Sequence, residues 1–250
     1  MASLVELVRY LDEYLQTAKI TDYSGAQNGL QLENGGTVTK VGAAVDASEA
    51  VVGHAAAAGV DLLLVHHGLF WTPQRYTGAT YRKLKQAMGC DLAIYSSHLP
   101  LDLHAEVGNN AQLCRALGWA GAEPAFPYKG QPIGLKVAVE TTRTTLQERL
   151  GQVLGGLPHC CPGGPEVVRR VGIVTGGAGS EVAQAVAEGV DTFITGEGPH
   201  WSFPAAEELG LNVFYGGHYR TETFGVKALA AHLEVQFGLP WVFLDHPTGL

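Results

Sequence analysis

Apolar residues recur along the chain with two spacings, one typical of helices and one of buried strands. The first helix is predicted over residues 3–15, where leucine or valine stands at positions 4, 7, 8, 11 and 15 and Ser3 and Glu6 have the spacing of a capping box. The run Asp61–Val65 is apolar without alternation, which favours a strand covered on both faces, as in parallel sheets. The pattern therefore predicts an α/β fold of alternating strands and helices.

The predicted elements form two cycles separated by a segment rich in glycine and proline. In the first cycle the strands are Val41–Val45, Val60–Val65 and Leu92–Ser96, and the helices are Ser48–Ala58, Tyr81–Met88 and Glu106–Leu117. The segment Gly118–Gly134 is typical of a linker. In the second cycle the strands are Ile133–Val139, Val168–Val174, Val190–Thr195, Leu211–Tyr215 and Trp241–Leu244, and the helices are Thr145–Leu154, Ser180–Glu188 and Phe224–Gln236.

The two cycles resemble each other at nearly constant offsets. A shift of 130 residues pairs Gly59-Val60-Asp61 with Gly189-Val190-Asp191, and a shift of 120 pairs Tyr95–His98 with Tyr215–His218. Shared use of glycine, valine and alanine in any strand–helix unit is the alternative explanation. The matches stay in register and end on chemically similar residues, so an internal duplication is favoured. Two similar lobes are then expected to place their functional edges against each other.

Three polar clusters directly follow predicted strands, at the carboxyl ends where open α/β sheets bind ligands. They contain His66 and His67, His98 and Asp102, and His218 and Glu222. A helix starting near Tyr219 would put His218 and Glu222 on one face, because they are four residues apart. Imidazole and carboxylate ligands suit two divalent ions of zinc, iron, manganese or nickel. The predicted metal ligands are His66, His67, Asp102, His218 and Glu222, which leave positions for water as catalytic sites do.

Several nearby residues admit two interpretations. His98 is expected to contact water or substrate at the centre, with a buried structural role as the alternative. Glu197 and His200 either reach the site or support a turn, and the support role is favoured. The Gly176–Ser180 segment could cradle a phosphate, although no Walker lysine follows. The remaining candidates, the adjacent Cys160 and Cys161 beside His159 and the histidines 54, 104, 232 and 246, are interpreted as incidental.

Composition narrows the classes of function. Hydrophobic residues make up 46% of the chain and the net charge is −8, with no basic stripe, so specific nucleic-acid binding is not expected. The first 15 residues carry Glu6, Asp12 and Glu13 and do not resemble a signal peptide. The longest apolar stretch, residues 55–65, is too short to span a bilayer. Four cysteines without CxxC spacing suggest reduced thiols and a cytoplasmic protein.

With these residues in hand, the chain resembles the Nif-three-like dinuclear metal-centre family, whose members are described as GTP cyclohydrolase I type 2 homologues. The motifs that carry the resemblance are Asn28–Gln31, His66–Phe70, Tyr95–Asp102, Ile194–Glu197 and Gly217–Glu222. The resemblance implies the same five metal ligands. It also implies two interwoven α/β lobes (residues 1–125 with 222–250, and 126–221), a metal site between them and a toroidal homohexamer. Gly68 stands where family members often have proline, which should alter the loop but not the ligands. The extra domain that longer members insert between the halves is not present.

Three functions remain open from the sequence, and the first is favoured. The chain is a metal-dependent hydrolase acting on a purine nucleotide or related small heterocycle, a non-catalytic metal carrier or insertion factor, or a ring that recruits partner proteins. The lack of an expected cysteine ligand weakens a copper or iron–sulfur carrier.

Overall fold

Each of the two units that the chain forms contains one main β-sheet. The computed structural model describes residues 1–250. The first unit comprises residues 1–107 and 225–246, and the second comprises residues 108–224 and 247–250. Both combine parallel strands with helices, so the predicted α/β class is confirmed. None of the helices has the length and apolar character that a membrane crossing requires.

The first unit holds a five-stranded sheet and a two-stranded one. Its elements are β1 (Ala2–Ser3), α1 (Leu4–Tyr14), β2 (Gly29–Leu32), β3 (Thr37–Val38), β4 (Val41–Asp46), α2 (Glu49–Ala57), β5 (Leu62–His67), α3 (Gly78–Gly89), β6 (Ala93–Ser96) and α4 (Leu99–Asp102), with a last strand at Trp241–Phe243. Strands β4, β5 and β6 are parallel neighbours, and β2 closes the sheet as an antiparallel edge.

Alternate residues of β4, β5 and β6 enter two apolar layers. Leu62, Leu64 and Tyr95 belong to a layer that includes residues of α1, whereas Leu63 and Ile94 belong to a layer that includes residues of α2 and α3. Both layers are closed to solvent, so the predicted coverage of both sheet faces is confirmed. The Ser3 hydroxyl makes no capping hydrogen bond, so the capping-box prediction is wrong in that detail.

The second unit is built on a six-stranded sheet. Its elements are α5 (Asn109–Ala116), β7 (Glu123–Tyr128), β8 (Gln131–Thr142), α6 (Arg143–Leu154), β9 (His159–Pro162), β10 (Val167–Ile173), a 3-10 turn at Gly179–Glu181, α7 (Val182–Ala187), β11 (Thr192–Thr195), α8 (Ser202–Glu208), β12 (Asn212–Tyr215) and α9 (His218–Phe237), and the final strand of the first unit is β13. Helix α9 begins in this unit, and its residues from 225 onward are counted in the first.

The strand order of this sheet is β7-β8-β10-β11-β12-β9, with the three parallel strands β10, β11 and β12 adjacent. The predicted linker is wrong, because residues 123–128 form β7 and pair antiparallel with β8. Strand β7 contains two prolines and lies at the sheet edge, where a missing N–H breaks no central ladder. Residues 159–162 likewise form an edge strand rather than a loop.

The same backbone hydrogen bonds recur in the two units 130 positions apart. The N–H groups of Thr39 and Lys40 donate to the Asp61 carboxylate at 2.9–3.0 Å. The N–H groups of Arg169 and Arg170 donate to Asp191 at 3.0 and 2.9 Å. Strand pairing follows the same offset, since Leu62 pairs with Val41 in one sheet and Thr192 pairs with Val171 in the other. The shift that relates the two halves of the sequence thus also relates local contacts within each unit.

Candidate functional site

The first unit places four of the predicted site residues at one edge of its sheet. Strand β5 ends in His66 and His67, and the neighbouring parallel strand β6 ends just before His98. Asp102 ends α4, the short helix that follows His98. The carboxyl ends of adjacent parallel strands meet at the same edge, so residues far apart in the chain converge there.

Distances within this group are compatible with metal binding. One ring nitrogen from each of His66, His67 and His98 lies within 4.8 Å of the others. His66 Nε2 lies 3.5 Å from Asp102 Oδ2, and both side chains are almost fully buried. A buried carboxylate facing imidazole nitrogens is costly unless a charge balances it. A divalent cation would supply that charge.

The three clustered histidines, His66, His67 and His98, are held through the same ring nitrogen. In each, Nδ1 lies 2.9 Å from an oxygen acceptor, which fixes the proton on Nδ1 and leaves the lone pair on Nε2. Histidines that bind metals in proteins are usually anchored in this way. The acceptors are the Ser97 carbonyl for His66, Asp46 for His67 and Asp22 for His98.

Two of these anchoring residues, Asp46 and Asp22, were not singled out from the sequence. Asp46 ends β4 and pairs in register with His67, so its place at a strand end beside the histidine pair was a usable signal. Asp22 lies in the loop before β2, 76 positions from His98. No local pattern marks it.

The Asn28–Gln31 motif supports the loops around the histidines. Asn28 Oδ1 accepts a hydrogen bond from the His98 backbone N–H at 2.7 Å. Gln31 Oε1 accepts one from Leu69 N–H at 2.5 Å. A Cβ on Gly68 would overlap the Gln31 side chain. Glycine at position 68 therefore leaves the space that the Gln31 side chain occupies.

The second unit places His218 and Glu222 together at the carboxyl end of β12. His218 begins α9, and Glu222 lies one turn further along, with 3.1 Å between His218 Nε2 and Glu222 Oε2. Glu197, which follows β11, holds His218 Nδ1 at 2.9 Å. The Glu197 side chain thus reaches the site through His218 rather than only supporting the turn, the role favoured from the sequence, while His200 lies exposed in the turn before α8.

The charge at His218 is governed by its two carboxylates. Burial of the ring opposes its protonation, but the hydrogen bonds and negative charges of Glu222 and Glu197 outweigh that effect and raise the pKa of His218 to about 9. Two carboxylates around one imidazole form a strongly cation-attracting environment. A metal ion bound at Nε2 would take the place of the proton there.

The glycine-rich segment after β10 provides space for this pair rather than a phosphate cradle. The N–H groups of Gly176, Ala178 and Gly179 all donate to acceptors within the unit. Gly176 has φ of +72°, and a Cβ there would overlap Glu222 Oε1 and lie 3.4 Å from His218 Nε2. The phosphate interpretation is therefore not supported. The segment lets Glu222 occupy its position.

The other candidates from the sequence lie outside these two clusters. Cys160 and Cys161 are neighbours on β9, so their side chains point to opposite faces and cannot share one ion. His232 is not incidental, because Nε2 lies 2.6 Å from the Tyr10 hydroxyl and its ring stacks on Tyr14. The donors that remain are imidazole nitrogens and carboxylate oxygens. This chemistry fits zinc, iron, manganese or nickel, and the chain thus has histidine and glutamate groups that could hold a metal ion.

Comparison with known proteins points to one family. The model of Duf34/NIF3 (NGG1p interacting factor 3) matches residues 2–248. A Deinococcus radiodurans protein named GTP cyclohydrolase 1 type 2 homolog is 42% identical, with 98% of this chain and 94% of that protein covered. An Archaeoglobus fulgidus protein of the same name is 40% identical, with 99% and 100% covered. The crystal structure of TTHA1606 from Thermus thermophilus superposes with a TM-score of 0.90 at 46% identity over the whole of both chains.

Proposed function

The chain belongs to the Duf34/NIF3 (NGG1p interacting factor 3) family, and on that premise we propose that it is a dinuclear metal-dependent hydrolase of a nucleotide or related heterocycle. The observation that carries the proposal occurs at both His66 and His218. A carbonyl or carboxylate oxygen accepts a hydrogen bond from histidine Nδ1, and a carboxylate lies near Nε2 of the same ring. The substrate class rests on the name that the relatives carry, GTP cyclohydrolase 1 type 2 homolog.

The proposed ligands are His66, His67 and Asp102 from the first unit, and His218 and Glu222 from the second. They supply three imidazoles and two carboxylates for two divalent ions, which leaves coordination positions for water or substrate. When bound, two such ions would supply an activated water and stabilise the negative charge that develops during hydrolysis. The chain's own residues fix the rings: Asp46 and Glu197 hold Nδ1 of His67 and His218 at 2.9 Å.

Substitution of one ligand tests the metal part of the proposal. His66→Ala should lower bound metal from about two ions per chain and abolish turnover, because His66 is fully buried beside Asp102. His54→Ala is the matched control, since His54 is an exposed histidine on α2. Elemental analysis gives metal per chain for each variant.

Substrate class is tested by incubating the metal-loaded protein with a panel of purine nucleotides, free heterocycles and phosphodiesters. Turnover of a nucleotide or heterocycle that falls to background in His66→Ala supports the hydrolase. Full metal occupancy without turnover of any compound in the panel contradicts it.

A metal carrier is the second candidate, and one observation favours it. The side chains of His67 and His218 keep 20% and 28% of their surface exposed, so solvent and a chelator can reach them. A carrier should lose both ions to an excess of chelator within minutes and transfer them to a metal-free acceptor protein. Retention over hours would favour the hydrolase.

We also propose that the chain assembles as a homohexamer, as its family resemblance implies. Six chains of 26.5 kDa give about 159 kDa. Light scattering on the purified protein checks the mass, and a value near that of one chain would contradict the assembly.

A further inference from the structure

A carboxylate–histidine pair in the first unit is not among the five proposed ligands. Asp22 Oδ1 lies 2.9 Å from His98 Nδ1, and only 6% of the Asp22 side chain and 13% of the His98 side chain are exposed. Placing a carboxylate in such a buried position is costly unless it is matched by hydrogen bonds. A buried pair of this kind is therefore expected to have a structural or functional role.

The loop that carries Asp22 is fixed to the turn after β6 by several hydrogen bonds. Asp22 Oδ2 accepts from Leu99 N–H at 3.0 Å and from Asn28 Nδ2 at 2.8 Å. Asn28 Oδ1 accepts from the His98 backbone N–H at 2.7 Å. Both the backbone and the ring of His98 are thus held by two side chains that also bind each other. The ring has little freedom to rotate.

Two aromatic rings also pack against the His98 ring. The Trp71 ring lies edge-on to His98 with centroids 5.0 Å apart, and Tyr23 lies 5.6 Å away. A Cβ on Gly25 would overlap the Trp71 carbonyl oxygen, so the loop and the Trp71 segment pack backbone against backbone. These contacts make the orientation of His98 a property of the folded first unit.

The hydrogen bond to Asp22 leaves one ring nitrogen of His98 available to the metal cluster. With its proton on Nδ1 facing Asp22, His98 has its lone pair on Nε2. A nitrogen of His98 lies within 4.8 Å of nitrogens of His66 and His67. Burial opposes the charge of Asp22, but the hydrogen bonds that it accepts, chiefly from His98 and also from Asn28 and Tyr23, help to hold its pKa below the ordinary value.

We propose that Asp22, together with Asn28, is a positioning residue that makes His98 Nε2 a fixed hydrogen-bond acceptor for an O–H or N–H group bound at the metal ions. The donor is water or the substrate. This inference rests on the proposed metal centre for the location of that donor, and it makes His98 a contact rather than a sixth ligand. Carboxylates that orient metal-ligating histidines change activity or affinity ~10–100-fold when they are removed, and we expect a loss of similar size when the carboxylate that orients His98 is removed.

The primary test is the tautomer of His98 in metal-free protein, measured by nitrogen-15 NMR and assigned by loss of the signals in His98→Gln. Wild-type His98 should carry its proton on Nδ1. In Asp22→Asn the amide can offer its own N–H to Nδ1, so the single tautomer should be lost. An unchanged tautomer in Asp22→Asn would overturn the inference.

Metal content separates a contact from a ligand. Asp22→Asn and His98→Gln should keep the zinc content of the wild type, and a crystal structure of the zinc-loaded protein should place a water oxygen, not zinc, beside Nε2. Asp46→Asn is the matched contrast, because Asp46 holds the proposed ligand His67 at the same 2.9 Å. It should weaken zinc binding ~10–100-fold. Zinc loss in His98→Gln would overturn the contact role.

Measurements of activity or binding test whether Asp22 acts through His98. With GTP as the probe, Asp22→Asn should weaken binding or turnover ~10–100-fold, and the double variant with His98→Gln should be no worse than His98→Gln alone. Additive losses would mean that Asp22 does not act through His98. If GTP neither binds nor reacts with the wild type while the tautomer and zinc results hold, the proposed substrate class fails and the positioning role stands.

Discussion

Replacing Gly176 by alanine tests whether the glycine-rich segment exists to make room for Glu222. Gly176 has φ of +72°, and its added Cβ would overlap Glu222 Oε1. Glu222 is buried, with only 4% of its side chain exposed. It cannot move aside without disturbing His218, which lies 3.1 Å away.

The expected loss of unfolding free energy in Gly176→Ala has two separate contributions. A left-handed backbone costs a residue with a Cβ ~1–2 kcal/mol, of which roughly 0.4–1 kcal/mol is offset by the stiffer unfolded chain. Forcing extra volume into a packed site adds about 1–3 kcal/mol. Gly155→Ala isolates the first cost, because Gly155 has φ of +73° with no atom within 4 Å of an added Cβ. We expect a loss of about 1 kcal/mol for Gly155→Ala and ~2–4 kcal/mol for Gly176→Ala.

Urea unfolding gives the free energies, and elemental analysis gives the metal bound per chain. Gly155→Ala should keep its metal, whereas Gly176→Ala should lose part of it because the Glu222 carboxylate is displaced. Equal destabilisation and equal metal content in the two variants would refute the steric reasoning. In that case the segment would tolerate a side chain at position 176.

Three further predictions concern Thr221, Cys114 and the repeated aspartates Asp61 and Asp191. Thr221→Val should cost about 1–3 kcal/mol in urea unfolding, because the buried Gly176 N–H loses its acceptor at 3.0 Å, while Thr221→Ser should stay within ~1 kcal/mol of the wild type. Burial raises the pKa of the Cys114 thiol to about 12, so its contribution to stability is complete below the unfolded pKa of about 8.5 and is lost as pH rises towards 12. Above about pH 9 the unfolding free energy of the wild type should therefore fall more steeply with pH than that of Cys114→Ala, by up to ~1.4 kcal/mol per pH unit. Parallel curves for the two proteins would contradict this. Asp61→Ala and Asp191→Ala should each cost roughly 1–2 kcal/mol, since each removes a partly exposed carboxylate that accepts hydrogen bonds from two backbone N–H groups. Values that differ by more than ~1 kcal/mol would show that the repeated contact is not equivalent in energy.

Local patterns predicted the elements that are buried and regular. Strands β4, β5, β6, β10, β11 and β12 and most helices were recognisable from their apolar runs, because a strand buried on both faces leaves a continuous apolar sequence. The edge strands β7 and β9 were not recognised. Both contain proline and exposed residues, which the edge strand of a sheet tolerates. In the sequence the same residues are typical of a loop.

The candidate ligands were accessible from the sequence for a similar reason. His66, His67 and His218 directly follow apolar strands, and the carboxyl ends of parallel strands form a common edge in any such sheet. Their chemistry could therefore be inferred without knowing the packing. The number of bound ions and the substrate stay predictions for the experiments above.

The sequence by itself thus determined the α/β class and the family, and it predicted the set of imidazole and carboxylate donors, since periodicity and strand ends are local properties of the chain. Only the tertiary structure decided which acceptor holds each histidine. Asp22 reaches His98 across 76 positions, and Gly176 matters because of where Glu222 lies. Such contacts depend on how loops pack at the edge of the folded sheet, and no local sequence spacing predicts that packing.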